Sequence, residues 1–431
     1  MDIGTLSVII VLSILILLAI GVPLVFSAGI VGVVLGYYMF GAPGLNLMMQ
    51  RMYGFSIEYL LLSVPLFLFM AALVEKSGIA REIYDAIEAW LGGFRGGVLI
   101  VTAVMGTVMA AMSGIIGGEI VLLGLVALPQ MLRLGYDKRL AVGTTCAAGS
   151  LGTMLPPSIV LIIYGLVAGT SISKLFIAAI IPGLILASCY ILYITVSCHL
   201  RPELAPDNTQ HRLSFRDKIR ASKGLVAPVI LITVILGSIY GGVTSITEAA
   251  TMGVLGILLI MALRRELKWV KLKGALEQTF LSLGVIVWVS FGATMLTGIY
   301  NLAGGPSYIA LSIVDLGVSP IVTIMVMLLL FLVLGMFIDW IGILLLAMPV
   351  LVPVVTQLGY DPIWFGILFC LTMQTSYLSP PFGPAAFYLK SVAPPDITIV
   401  EIFRSFLPFI MIQLVVLGLV LYFPQLALVL T

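Results

Sequence analysis

Residues 134–157 read LGYDKRLAVGTTCAAGSLGTMLPP, and residues 358–381 read LGYDPIWFGILFCLTMQTSYLSPP. Both stretches open on the same tetrapeptide and close on Pro-Pro, 224 positions apart. The same offset sets Pro129 on Pro353, Cys146 on Cys370, Tyr164 on Tyr388, and Gly29 and Gly32 on Gly253 and Gly256. One ungapped offset held over this distance marks an internal duplication. It divides the chain into a first repeat, 1–199, a polar linker, 200–224, and a second repeat, 225–431.

The composition says what is duplicated. Of 431 residues, 61% are hydrophobic and 9% charged, where a soluble domain carries about 25% charge. That excludes a soluble globule, a disordered chain and a nucleic-acid binder. Apolar runs continue for about 20 residues, the length of a spanning helix, not the ~10-residue alternation of a barrel strand. The expected fold is an all-α polytopic membrane protein. The start of the chain carries Asp2 and no basic residue, and its apolar run passes residue 20. It therefore reads as a first span, 3–20, rather than a signal peptide. Cys146, Cys189, Cys198 and Cys370 form no CxxC and read as small buried residues.

Within the first repeat, 3–20, 24–40 and 57–75 read as spans, 42–55 as an interfacial arm helix and 76–95 as a short amphipathic helix. Residues 97–128 are one long helix or a re-entrant hairpin; 138–170 is an interrupted helix, and 174–198 spans last. The positive-inside rule separates the two readings of 97–128. A hairpin there makes five crossings per repeat, an odd number, so the second repeat is inverted. With the N-terminus outside, nineteen of the 21 basic residues fall on the cytoplasmic side, leaving Arg51 and Lys174 outside. Both termini are then periplasmic and the linker, with His211 and Arg212, cytoplasmic. By the same offset the second repeat holds scaffold spans 225–263, an arm helix 264–279, a hairpin 320–353 and a broken helix 362–390.

Proline lacks an N–H and clashes with the preceding turn. Pro156-Pro157 and Pro380-Pro381 should therefore free carbonyls near Gly152 and Thr153 and near Ser376 and Tyr377. Free carbonyls in hydrocarbon persist only where they line a cavity or bind something. Unwound helices at matching places in inverted repeats point to a transport site; a plain proline kink is the alternative. The hairpins carry the embedded carboxylates Glu119 and Asp339, which are candidates for site work or for capping and hydrogen-bonding roles. Glu248 reads as a helix-start carboxylate.

These residues resemble a known family. Thr247-Glu248-Ala249-Ala250 after Gly241-Gly242 is similar to its TPTEAAA signature, and Leu334-Gly335-Met336-Phe337-Ile338-Asp339 to its LGMFLD hairpin. Ala148-Gly149-Ser150-Leu151-Gly152, followed by Leu155-Pro156-Pro157-Ser158, is similar to its AAG-x-LG-x-x-x-PPS motif. The family is the large membrane subunit of the tripartite ATP-independent periplasmic (TRAP) transporters. Departures lie at Ser245-Ile246, where the signature has proline, and at Gly118-Glu119 in the first hairpin. The resemblance implies a Na⁺-coupled importer of the bacterial inner membrane that works by an elevator motion. It also implies a small four-helix membrane subunit, expected as a separate chain, and a soluble periplasmic binding protein.

On that basis the expected function is secondary import of a small organic anion, a carboxylate or sulfonate, with Na⁺ as coupling ion and no cofactor. Expected Na⁺ ligands are Ser113, Gly149 and Gly152 in one repeat and Gly335, Thr375 and Ser376 in the other. Expected substrate residues are Ser150, Gln374, Ser379, Asp339 and Glu119. The chain has no GxxxxGK[ST]. Two rivals stand beside this reading: a stand-alone Na⁺/dicarboxylate carrier, and an intramembrane acid protease. The second has Glu119 and Asp339 but no GxGD setting, and His199 and His211 lie at or in the linker.

Overall fold

A computed structural model describes residues 2–114, 116–206, 214–315 and 317–431. His211 and Arg212 of the linker lie outside the described residues. The described chain is helical, with no strand among the described residues. Among the described residues, seven helices are long and apolar enough to cross a membrane, including Ile172–Leu200, Trp269–Leu302 and Ile399–Tyr422. Six shorter apolar helices accompany them. Large apolar side chains such as Leu12, Ile230, Leu259 and Trp288 are exposed on the outside of the bundle. In water such a surface would drive association; in a bilayer it is the solvated face. The protein is a polytopic, all-helical membrane protein.

Helix order in the second half follows that in the first. Ile3–Ala19 and Leu24–Phe40 are matched by Lys223–Tyr240 and Ile246–Leu263. Gly97–Ser113 and Ile116–Val126 are matched by Pro320–Gly335 and Trp340–Gln357. Each of these last pairs is two helices joined by a short break, at Gly114 with φ 62° and at Met336–Asp339. Ile172–Leu200 is matched by Ile399–Tyr422. Gly305–Asp315 is the counterpart of the amphipathic Ile79–Leu91.

One expectation is corrected. The arm helix Ala42–Ser56 is separate from its following span, Ser63–Ser77, but no separate arm occupies 264–279. There, Trp269–Leu302 is one helix of 34 residues. Pro65 falls in the first turn of Ser63–Ser77, where its missing N–H breaks no bond; in a helix continued from Ser56 it would. Its counterpart is Val289. The polar linker, in turn, contains a helix, Phe215–Ala221. It is pinned under the amphipathic helix: Trp90 Nε1 donates to Ser222 Oγ at 2.8 Å, and Lys218 Nζ sits 5.6 Å from the Trp90 ring.

Two packing centres result. The second span of the first half lies against Trp269–Leu302 so closely that a Cβ on Gly292 would meet the Val25 carbonyl oxygen at 2.2 Å. Small residues allow this approach where no hydrophobic force separates helix from lipid. The span Ser63–Ser77 packs on both Ile246–Leu263 and Trp269–Leu302. The interrupted helices, the hairpins and the final spans pack against these helices in one continuous apolar core, and Lys138 donates to Asp396 at 2.6 Å.

Glu248 is structural, as read. Ser245 accepts from the Glu248 N–H, and Glu248 accepts from the Ser245 N–H at 2.7 Å, a capping box. Ser245→Ala is expected to cost about 1 kcal/mol, measured as a lower melting temperature in detergent. An unchanged melting temperature would show that the box is redundant.

Candidate functional site between two hairpin tips and two broken helices

The first interrupted helix runs Lys138–Ser150, tightens into a 3-10 turn at Leu151–Thr153, and resumes at Ile159. Gly149 and Gly152 loosen it ahead of the prolines. Ser158 closes part of the gap: its hydroxyl donates to the Thr153 carbonyl at 2.6 Å and accepts from the Leu161 N–H. The Thr153 carbonyl is thus not free, contrary to expectation.

The second break falls later than the sequence suggested. The helix Pro362–Leu378 carries Gln374, Thr375, Ser376 and Tyr377 in regular form, and the irregular stretch begins at Ser379, which is extended (φ −86°, ψ 134°). A residue preceding proline is pushed out of the helical region, and no glycine between Gly366 and Gly383 loosens the helix earlier. The side-chain oxygens therefore fold back on the helix: Thr375 Oγ1 donates to the Leu371 carbonyl at 3.0 Å, and Ser379 Oγ to that of Thr375 at 2.8 Å. Both Pro-Pro peptide bonds are cis.

Each hairpin tip docks on one break. In the first half, a Cβ on Gly114 would meet the Pro157 carbonyl oxygen at 2.3 Å, and one on Gly149 would meet Ile120 at 2.6 Å. Ser113 Oγ donates to Glu119, whose carboxylate faces Gly152 closely enough that a Cβ there would lie 2.7 Å from Oε1. Ser113, Gly149 and Gly152 are thus brought together, with Glu119 among them. In the second half, Gly335 packs on Ser376, leaving 2.6 Å between a built Cβ and Ser376 Oγ. Ser376 Oγ donates to the carbonyls of Leu332 and Thr372 at 3.2 and 3.1 Å.

A hydrogen bond joins the two broken helices directly. Gln374 Nε2 donates to the Ser150 carbonyl at 2.8 Å, and these residues are 224 apart, the repeat offset itself. Ser150 and Gln374 are fully buried, and Ser379 nearly so. None of the three lines the cavities described next, so the structure separates them from the open space they were expected to face.

Two cavities, of about 220 and 300 Å³, adjoin each other through Leu68, Gly117, Ser282 and Tyr388. The smaller lies between the hairpin tips and is lined by Gly114, Thr153, Asp339, Trp340 and Tyr377. Tyr377 Oη donates to Asp339 Oδ1 at 3.2 Å, and the Asp339 side chain is open to the cavity. Asp339 also precedes the helix Trp340–Gln357, so that helix start points at the cavity. The larger cavity reaches Ser113, Glu119, Glu75 and Gln278. Among the described residues no Lys or Arg lines either one.

A separate cleft of about 770 Å³ holds Arg51, Glu58, Leu60 and Thr170. Leu60 and Glu75 lie at opposite ends of the same span, so the cleft and the larger cavity open toward opposite ends of the bundle. Sequence reasoning missed Tyr388, Tyr377 and Ser282 as lining residues. Tyr388 carried a signal, since it is the repeat mate of Tyr164; Ser282 carried none.

Residues 11–426 match the family described as the DctM component of the tripartite ATP-independent periplasmic transporter. The C4-dicarboxylate TRAP transporter large permease protein DctM of Pseudomonas aeruginosa is 30% identical over 88% of this chain and 88% of its own. The ectoine/5-hydroxyectoine large permease UehC of Ruegeria pomeroyi is 32% identical over 97% and 96%. The solved structure of the YdaH transporter of Alcanivorax borkumensis is 17% identical with a TM-score of 0.64, covering 92% of this chain and 95% of its own. It shares the fold.

Proposed function

The chain belongs to the DctM family of TRAP transporters, and we propose that it imports a small organic anion by Na⁺ symport. The observation that carries this reading is the convergence of two hairpin tips and two broken helices on one cavity. Broken helices at matching repeat positions supply backbone dipoles and oxygens for ions, and a helix start receives an anion. Relatives named for C4-dicarboxylates, ectoine and sialic acid support an organic acid as the substrate class.

The electrostatics support the coupling. The described lining contains Glu75, Glu119 and Asp339 and no basic side chain. An anion entering such a space is repelled unless cations enter with it. Na⁺ held by Ser113, Gly149 and Gly152 on one side, and by Gly335, Thr375 and Ser376 on the other, provides that charge.

The motion we propose is an elevator. The mobile unit is the two hairpins with the interrupted helices; the scaffold is the body built on Leu24–Phe40, Ile246–Leu263 and Trp269–Leu302. The two halves are inverted in the inner membrane, with both termini periplasmic and the linker cytoplasmic. A periplasmic binding protein delivers substrate, and a small four-helix subunit docks on the scaffold.

Proteoliposomes holding the permease and its small subunit, given the loaded binding protein, should take up substrate only under an inward Na⁺ gradient. Uptake in choline should fall at least tenfold. Undiminished uptake in choline driven by a proton gradient would sink the coupling assignment. Equal uptake without the binding protein would favour a stand-alone carrier.

A further inference from the structure

Among the described residues, Glu119 is the most deeply placed acidic side chain, and the reading above leaves it without a task. Its side chain is 1% exposed. Oε1 accepts from Ser113, and Oε2 has no hydrogen-bond partner. None of the described ion pairs includes it. An ionised carboxylate away from water is very costly unless a counter-charge and hydrogen bonds meet it. A place as a substrate contact does not supply one, because an anionic substrate would add repulsion.

Its polar neighbour is Ser113, and the first helix break lies against its carboxylate. Ser113 Oγ bonds to it, and the backbone of the first helix break comes within touching distance only because residue 152 is glycine: a Cβ there would lie 2.7 Å from Oε1 and 2.9 Å from Oε2. The larger cavity reaches Ser113 and Glu119, so a small ion has a way in. The second half lacks this feature. By the repeat offset Glu119 falls on Ile343 and Ser113 on Phe337. The oxygens against Gly335 are the neutral hydroxyl of Ser376 and the nearby backbone, and the Asp339 carboxylate of that tip is turned to Tyr377 and the smaller cavity.

We infer that the Glu119 carboxylate is itself a ligand of one transported Na⁺, so that the first cation site is anionic and the second is neutral. This rests on the Na⁺-coupled reading and adds to it a ligand and an asymmetry. The unpartnered Oε2 takes the cation, Ser113 holds the carboxylate in place through Oε1, and Gly152 keeps the space clear. Loading this site cancels the buried charge.

The test uses the permease with its small subunit in nanodiscs, without substrate, and measures equilibrium binding of ²²Na⁺. Glu119→Gln should lower Na⁺ affinity at one class of sites more than tenfold and remove one bound Na⁺ per permease at moderate Na⁺. Glu119→Asp, which keeps the charge, should stay within several-fold of the parent. Parent-like binding in Glu119→Gln overturns the assignment. Absence of Na⁺ binding in the parent itself would instead refute the coupling reading on which it rests. If Glu119→Gln fails to fold, the parent decides: Na⁺ should protect Glu119 from an apolar carbodiimide, read by peptide mass, and choline should not. The same extent of modification in both salts overturns the proposal.

Discussion

Bridging the first hairpin to the scaffold is expected to stop transport almost completely, by at least 100-fold, while leaving Na⁺ binding in place. The pair to join is Glu75 on the scaffold span Ser63–Ser77 and Gly118 at the start of the helix Ile116–Val126. A Cβ on Gly118 would lie 3.2 Å from Glu75 Oε2, so two cysteines there fall within reach of a mercuric ion or a short bis-alkylating reagent. Glu75 also accepts from Gln278 of Trp269–Leu302 at 2.9 Å, which ties that point to the scaffold rather than to the hairpin. A rigid-body elevator must slide one body past the other at this seam, and a covalent bridge blocks it. The comparison is between the bridged and the unbridged forms of the same double variant, so the loss of the Glu75 carboxylate cancels. Mercury-bridged protein should recover on adding excess thiol. Normal uptake by the bridged form would mean that the hairpins gate locally and the bodies do not slide.

The second large effect is expected from Gly114→Ala. Gly114 ends the helix Gly97–Ser113 at φ 62°, in the left-handed region, where an L side chain costs roughly 1–2 kcal/mol. The added methyl would also meet the Pro157 carbonyl oxygen at 2.3 Å. A backbone oxygen cannot swing aside, and forced overpacking of this kind costs about 1–3 kcal/mol. The tip must therefore lift off the broken helix, separating Ser113 and Glu119 from Gly149 and Gly152. If about 2–3 kcal/mol of that cost is charged to the cation-bound arrangement, Na⁺ affinity falls roughly 30- to 150-fold. Uptake should disappear at ordinary Na⁺ and return in part at high Na⁺. A variant that is folded and keeps its Na⁺ dependence would show that the tip is not part of the cation site.

Much of this architecture was legible without coordinates because it rests on local chemistry. Proline and glycine act through their own backbone, so Pro156-Pro157, Pro380-Pro381, Gly114 and Gly152 announced breaks where breaks occur. The repeat offset located the matching hairpins and final spans. It failed where the halves differ by one residue with a large local effect. Pro65 stands in the first turn of the span after the first arm, while Val289 lies inside one continuous helix. Gly149 and Gly152 loosen the first broken helix early, while the second stays helical through Leu378.

Apolar run length and the low share of charge settled that the chain is a helical membrane protein, since each is a property of residues close together in the chain. Tertiary packing decided which oxygens meet. Whether Glu119 faces an anion or the empty side of Gly152, whether Ser150 and Gln374 line a cavity or bond to each other, and whether Tyr388 closes over Gly117 depend on elements far apart in the chain. Side-chain type does not encode that choice. A buried glutamine or glutamate must find a partner once water is gone, and which one it finds is set by the helices that pack against it.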